Sequence, residues 1–254
     1  MKIFFHDDFL KSYTWDPAAS SGRLNHALNQ VENEFPIISP SPTIDDNVLL
    51  CHTEPHLKSV KSNKSIYEMA LLAAGATIEA SDEAMNNSPA FALCRPPGHH
   101  ANPSHSWGFC YFNNVAIAIQ RLLKIGEIKN ALIVDFDLHF GDGTANIFSD
   151  TPEVNFLYVE ESLGESVTSV LKEELEGIQT DIVAVSAGFD RHVDCWGGML
   201  ETGDYKALGE ELGAFARENC NNRIFAALEG GYNPESLGDS VYAFCKGVAE
   251  TTSY

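Results

Sequence analysis

None of the six cysteines (Cys51, Cys94, Cys110, Cys195, Cys220, Cys245) forms a Cys-x-x-Cys pair with another. That absence excludes a zinc–thiolate finger. Basic residues are scarce: 16 Lys plus Arg stand against 36 Asp plus Glu, a formal net charge of −20. Such a field repels polyanions, so direct binding to nucleic acid or to an anionic membrane is set aside. A solvated acidic surface is the plain account of the charge, and cationic partners such as polyamines or lysine-rich tails are the ones it would favour. Long hydrophobic runs are missing too. None approaches the roughly 18 apolar residues of a membrane span, and Met1-Lys-Ile-Phe-Phe-His6 is too short in apolar length for a secretory signal. A soluble, reduced, cytoplasmic protein is expected. There is no internal repeat, low-complexity segment or clean linker, so one domain over residues 1–254 is expected.

What is abundant is apolar residue, 44% of 254, enough for a sizeable core. It is distributed as short strand-like runs alternating with helix-like periodicity. Lys2 to Phe5, Ala90 to Cys94, Ala131 to Val134, Val154 to Val159, Asp181 to Ser186 and Arg223 to Leu228 read as strands. Arg23 to Val31, Leu57 to Lys61, Ser65 to Met85, Asn114 to Ile125 (closed by Gly126), Val167 to Leu175, Asp204 to Cys220 and Pro234 to Val248 read as helices. Residues 7 to 47 read as largely loop. The alternation predicts an α/β fold with a mostly parallel sheet and helices on both faces.

Four of these strands run into polar residues. One is followed by Arg95-Pro-Pro-Gly-His99-His100, another by Asp135-Phe-Asp137-Leu-His139, a third by Gly188-Phe-Asp190-Arg-His192 and a fourth by Glu229-Gly-Gly-Tyr232. Taken singly, Asp142 reads as a helix cap, Asp190 as a turn residue and Tyr232 as an amphipathic surface residue. Taken together they acquire another meaning. Ligands in α/β sheets bind at the carboxyl ends of the strands, and four such ends can meet there.

Asp135, Asp137 and His139 follow one another at spacing two, so a persisting strand would point all three to one side. Buried carboxylates and an imidazole need a satisfier, and a divalent cation suits them. A metal held by Asp137, His139 and Asp190 would polarise a carbonyl and acidify a water. A nearby histidine would take that proton and deliver it to a leaving amine. Asp135 and Asp142 would each orient an imidazole, and Tyr232 would donate to the oxyanion. Such a set is a metal-assisted amide hydrolase.

Arg95-Pro-Pro-Gly-His-His-Ala101, Gly108-Phe-Cys-Tyr-Phe-Asn-Asn114, Asp135-x-Asp-x-His-x-Gly-Asp-Gly143, Ser186-Ala-Gly-Phe-Asp-x-His192 and Glu229-Gly-Gly-Tyr232 occur in the order of the histone deacetylase and acetylpolyamine amidohydrolase family. From about Leu71 onward the chain resembles that family, in its bacterial, class II-like branch. The resemblance implies an arginase/deacetylase-like α/β fold and one Zn²⁺ per chain, with Fe²⁺ as the alternative. It makes Asp137, His139 and Asp190 the metal ligands. It makes His100 the main proton shuttle and His99 an electrostatic helper, with Asp135 and Asp142 as their carboxylate partners and Tyr232 as the transition-state donor. Gly108 and Phe109 would form a wall of an acyl-lysine tunnel. A monovalent-ion site, usually K⁺, would be built partly from Asp135 and the backbone at Asp137 and His139. The substrate would be an acetylpolyamine, another small cationic acetylated amine, or acetyl-lysine.

The chain also departs from the family's pattern. Residues 154 to 179 are far shorter, and Tyr158-Val-Glu160-Glu161 stands where the family has Ser-x-His. The shortening predicts a shallower, wider pocket, or one completed by another subunit of a homo-oligomer. It also leaves the K⁺ environment open. Glu160 and Glu161 are candidates for attracting a cationic substrate at the rim, or a plain solvated strand end.

Overall fold

The computed structural model describes residues 1–160 and 166–252. Seven strands form one sheet, β1 (Lys2–Phe4), β2 (Ile37–Ile38), β3 (Ala90–Ala92), β4 (Ala131–Asp135), β5 (Val154–Tyr158), β6 (Val183–Ala187) and β7 (Ile224–Leu228), in the order β2-β1-β3-β7-β6-β4-β5. Every neighbouring pair is parallel. The fold class and the parallel sheet are as the alternation predicts. The four strands whose ends carry polar residues are consecutive in that order: β3, β7, β6 and β4.

Those four central strands are buried at every position, so both of their faces are covered. The helices doing so are α1 (Asn25–Val31), α2 (Asp45–Val48), α3 (Glu54–Lys61), α4 (Lys64–Met85), α5 (Asn114–Ile125), α6 (Asp142–Phe148), α7 (Val167–Leu175), α8 (Thr202–Cys220) and α9 (Pro234–Thr252). α4 and α5 pack on each other and on the central strands, while α8 packs on α9 and α7, and α9 on α1. Phe91 of β3 and Phe136, just beyond β4, meet Phe244 of α9 edge-on or tilted, at 6.2 and 5.4 Å between ring centroids. Each such ring contributes about 1.5–3 kcal/mol through its burial. Among the described residues, no helix is long and apolar enough to cross a membrane.

The differences from expectation lie at the edges. β2 falls inside the segment read as loop; its two isoleucines are exposed and pair only with β1. A two-residue edge strand leaves no alternation to detect. α2 was invisible for a similar reason, and α8 starts two residues earlier than expected, where Glu201 and Asp204 form a capping box.

Candidate active site

β4 ends at Asp135, and the chain then turns. The spacing-two geometry therefore does not persist, contrary to the expectation for Asp135, Asp137 and His139. Each aspartate instead accepts the backbone N–H two residues on: Asp137 N to Asp135 Oδ1 at 3.0 Å, and His139 N to Asp137 Oδ1 at 2.9 Å. These local bonds replace the ladder with two successive Asx turns. They send Asp135 to one neighbour and Asp137 with His139 to another.

The Asp137, His139 and Asp190 side chains converge, with one potential ligand atom from each lying within 4.8 Å of the others. His139 Nδ1 is 3.3 Å from Asp137 Oδ1 and 3.3 Å from Asp190 Oδ2. Gly230 N donates to Asp137 Oδ2 at 2.8 Å, and Leu138 N to Asp190 Oδ1 at 3.0 Å. Asp190 Oδ2 is buried with no hydrogen-bond partner among the described residues. A Cβ on Gly230 would stand 2.6 Å from Asp137 Oδ2 and 2.7 Å from Asp190 Oδ2, so only glycine lets the β7 end approach. Burial raises the Asp190 carboxyl, and the charge of Asp137 raises it further. The side chains of Asp137 and then Asp190 raise the His139 imidazole to about 10. Two buried carboxylates, one orphaned oxygen and an imidazole nitrogen form a donor set that a divalent cation fits.

Two histidine–carboxylate pairs flank this set. His99 Nδ1 is 3.0 Å from Asp135 Oδ2, and its Nε2 is 3.7 Å from Asp137 Oδ1. Burial alone would lower His99, but the charges of Asp137 and Asp135 outweigh it and hold the imidazole well above its usual value. His100 Nδ1 is 2.7 Å from Asp142 Oδ1. Burial and then the His99 charge bring His100 down to about 4, against the pull of Asp142. The two rings lie 4.0 Å apart, yet they favour opposite protonation states at neutral pH.

These groups open onto a cavity of about 160 Å³ lined by Pro97, His99, His100, Trp107, Gly108, Phe109, His139, Trp196 and Tyr232. The described residues thus form a small, aromatic-walled cavity, to which the described part of the 154–179 region contributes no lining residue. Gly108 and Phe109 line this cavity, both with positive φ (59° and 67°). A Cβ on Gly108 would meet His100 Cδ2 at 2.4 Å, which excludes any other residue from that turn. Tyr232 stacks on Trp196, 4.0 Å between centroids, and meets Phe109 edge-on at 5.8 Å. Burial raises its phenol far above the usual range, so the hydroxyl keeps its proton. Glu160 is exposed at the end of β5, and Glu161 lies outside the described residues.

Residues 18–162 and 157–248 match the family described as the histone deacetylase domain. The chain belongs to the histone deacetylase family. The two matched segments overlap at 157–162. A probable deacetylase of Archaeoglobus fulgidus is 31% identical over 294 aligned residues, covering 92% of this chain and 81% of its own length. Histone deacetylase 14, chloroplastic, of Arabidopsis thaliana is 33% identical over 71% of this chain, and the alignment spans about half (53%) of that relative. The crystal structure of the HDA15 HD domain superposes with a TM-score of 0.84 at 23% identity, covering 100% of this chain and 90% of the other; it bears on the fold alone.

Several residues at this histone deacetylase-family site were not singled out from sequence. Trp107 stacks on His100 at 3.8 Å, and its Nε1–H donates to both oxygens of Asp142 at 3.1 Å. Asn102 Nδ2 donates to Asp142 Oδ2 at 2.8 Å. Burial would raise the Asp142 carboxyl, but these donors and His100 together hold it low. Arg23 is buried, donating to the carbonyls of Gly231 (2.7 Å) and Glu229 (2.6 Å), with Cζ 5.2 Å from the Tyr232 ring centroid. Trp107 and Trp196 each lie near a motif, and tryptophan in so acidic a surface was the available signal. Arg23, about 200 residues from its partners, gave none.

Proposed function

We propose that this chain is one catalytic domain that removes an acetyl or related short acyl group from an amine, using a divalent ion held by Asp137, His139 and Asp190. The observation that carries the reading is the convergence of that donor set with two histidine–carboxylate pairs, His99–Asp135 and His100–Asp142, whose imidazoles line the same cavity as His139. Zn²⁺ is the proposed ion, because two carboxylates and one imidazole with an open position suit it, and Fe²⁺ is the alternative. When bound, the ion supplies Lewis acidity to the acyl carbonyl and to water.

The protein's own groups divide the remaining work. Asp142 is ionised and can only accept, so His100 Nδ1 carries the ring proton and Nε2 is left as the base. His100 takes the proton from water and returns it to the leaving amine. His99 lies between Asp135 and Asp137, whose charges favour its protonated form, so it serves as a positive charge beside the ligands rather than as the base. The Tyr232 hydroxyl donates to the oxygen that becomes negative as the carbonyl is attacked. Phe109, Trp107 and Trp196 line the path of the alkyl chain and shield the reacting atoms from bulk water. A cavity of this size suits an acetyl group at the end of a slim amine, either an acetylpolyamine or acetyl-lysine. The net charge of −20 favours such cationic substrates at long range.

The test is a panel of acetylputrescine, acetylspermidine, acetyl-lysine peptides and longer acyl analogues on metal-loaded protein. Hydrolysis of a short-acyl substrate, lost on chelation, is expected. A protein that holds its metal and cleaves none of the panel would sink the reading.

A further inference from the structure

Arg191 follows a proposed ligand, Asp190, in sequence, yet its side chain serves the other side of the ligand turn. It is 2% exposed. Its Nε and Nη2 donate to the Asp137 carbonyl at 3.1 and 3.0 Å, and Nη2 also donates to the Val159 carbonyl at 2.7 Å. The Tyr158 ring lies 5.4 Å from Cζ, and the Tyr158 hydroxyl donates to the Leu138 carbonyl at 2.9 Å. A buried guanidinium is costly unless it is solvated by the protein. Here carbonyl oxygens and a ring face do so.

The geometry conflicts with the monovalent-ion site implied by resemblance. The Asp137 carbonyl already receives two N–H groups. Both carboxylate oxygens of Asp135 are engaged, one by Asp137 N and the other by His99 Nδ1. A monovalent ion on the Asp137 carbonyl would sit against a guanidinium, and two buried like charges at contact repel strongly. The residues present do not fit K⁺.

We propose that Arg191 is the resident cation of this site. Its guanidinium stands in for the monovalent ion and joins the ends of β4 and β5 through the Asp137 and Val159 carbonyls. It is a positioning residue: by fixing the Asp137 carbonyl it orients the Asp137–His139 ligand turn. Divalent-ion binding is therefore independent of potassium. The inference rests on the metal-site reading above.

The test is zinc affinity, measured by competition with a chromophoric chelator, in potassium chloride and in tetramethylammonium chloride at matched ionic strength. Wild-type affinity is expected to be the same in both salts. Arg191→Ala should lose about 10–100-fold in affinity in tetramethylammonium, with potassium restoring part of the loss and Arg191→Lys losing less. Wild-type affinity that rises severalfold with potassium overturns the proposal. So does a folded Arg191→Ala that binds zinc as tightly as wild type, or a loss that potassium does not repair and Arg191→Lys shares in full. If Arg191→Ala does not fold, the wild-type salt comparison still decides. Deacetylation is read in parallel: potassium-independent zinc binding without turnover sinks the amidohydrolase reading and leaves the role of Arg191 standing, whereas no zinc binding by wild type overturns both.

Discussion

His100 owes its proposed role to three neighbours rather than to its own chemistry. Burial and the adjacent His99 charge keep it neutral, and Asp142 fixes which nitrogen carries the proton. His100→Ala should cut kcat by about 10²–10⁴-fold with the melting temperature little changed; a wild-type rate would remove it as the base. Trp107 acts on the same pair through its stack and its N–H bonds to Asp142. Trp107→Phe keeps the stack and removes the donor. We expect kcat to fall about tenfold with a smaller change in KM, and a pure KM effect would reassign Trp107 to substrate contact alone. The histidines and aspartates of these pairs were legible in the sequence because each stands in a tight motif. Trp107 was not, because what matters is its contact with a residue seven positions away across a turn.

The loops that hold these residues are tied to the helices by buried polar groups. His52, between α2 and α3, accepts from Asn113 N at Nε2 (2.9 Å), so its Nδ1–H donates to the Asn102 carbonyl at 2.9 Å. Asn113 in turn caps α5, accepting from Ala116 N at 3.0 Å. One ring thus joins the segment leading into α5 to the Asn102 loop beside Asp142. Burial, then the charge of His56, lowers the His52 imidazole from 6.5 to about 4. The unfolded chain takes up that proton near 6.5 and the folded one only near 4. Between those values the unfolded state binds more protons, so stability falls as pH drops through the window. The effect is on the order of 3 kcal/mol for this group. Urea denaturation from pH 7 to 4 should show a shallower acid loss in His52→Gln than in wild type; parallel curves would exclude the ring as a contributor. At this scale the sequence shows α5 and its closing Gly126, but not that a histidine some sixty residues earlier holds its start.

Across the whole molecule, the sheet brings the ends of β3, β7, β6 and β4 side by side, and two buried carboxylates meet there. Placed together without a cation, the pair is unfavourable: burial, and then repulsion from Asp137, raises the Asp190 carboxyl. A bound divalent ion should therefore stabilise the fold as well as serve the reaction. Zinc at about a thousandfold above Kd should add roughly 4 kcal/mol, a rise in melting temperature of about 10 °C. Chelation should reverse that rise, and Asp190→Asn should abolish it. Metal analysis should find about one ion per chain. A melting temperature indifferent to zinc and to chelator would count against the site.

The strand–helix alternation and the polar strand ends were enough to determine a parallel α/β sheet and the set of residues at its carboxyl edge. These are properties of local periodicity and of motifs a few residues long, which propensity and spacing encode directly. The tertiary structure alone decided the strand order, the turn that separates Asp135 from Asp137 and His139, and the opposed shifts of the His99 and His100 imidazoles. It alone brought Arg191 onto the Asp137 carbonyl and Arg23 onto the Glu229–Gly231 turn. Each of these depends on which distant groups share a buried, low-dielectric space, where charges and unpaired donors act strongly over a few ångströms. That proximity is set by the packing of the whole chain, and no short stretch of sequence contains it.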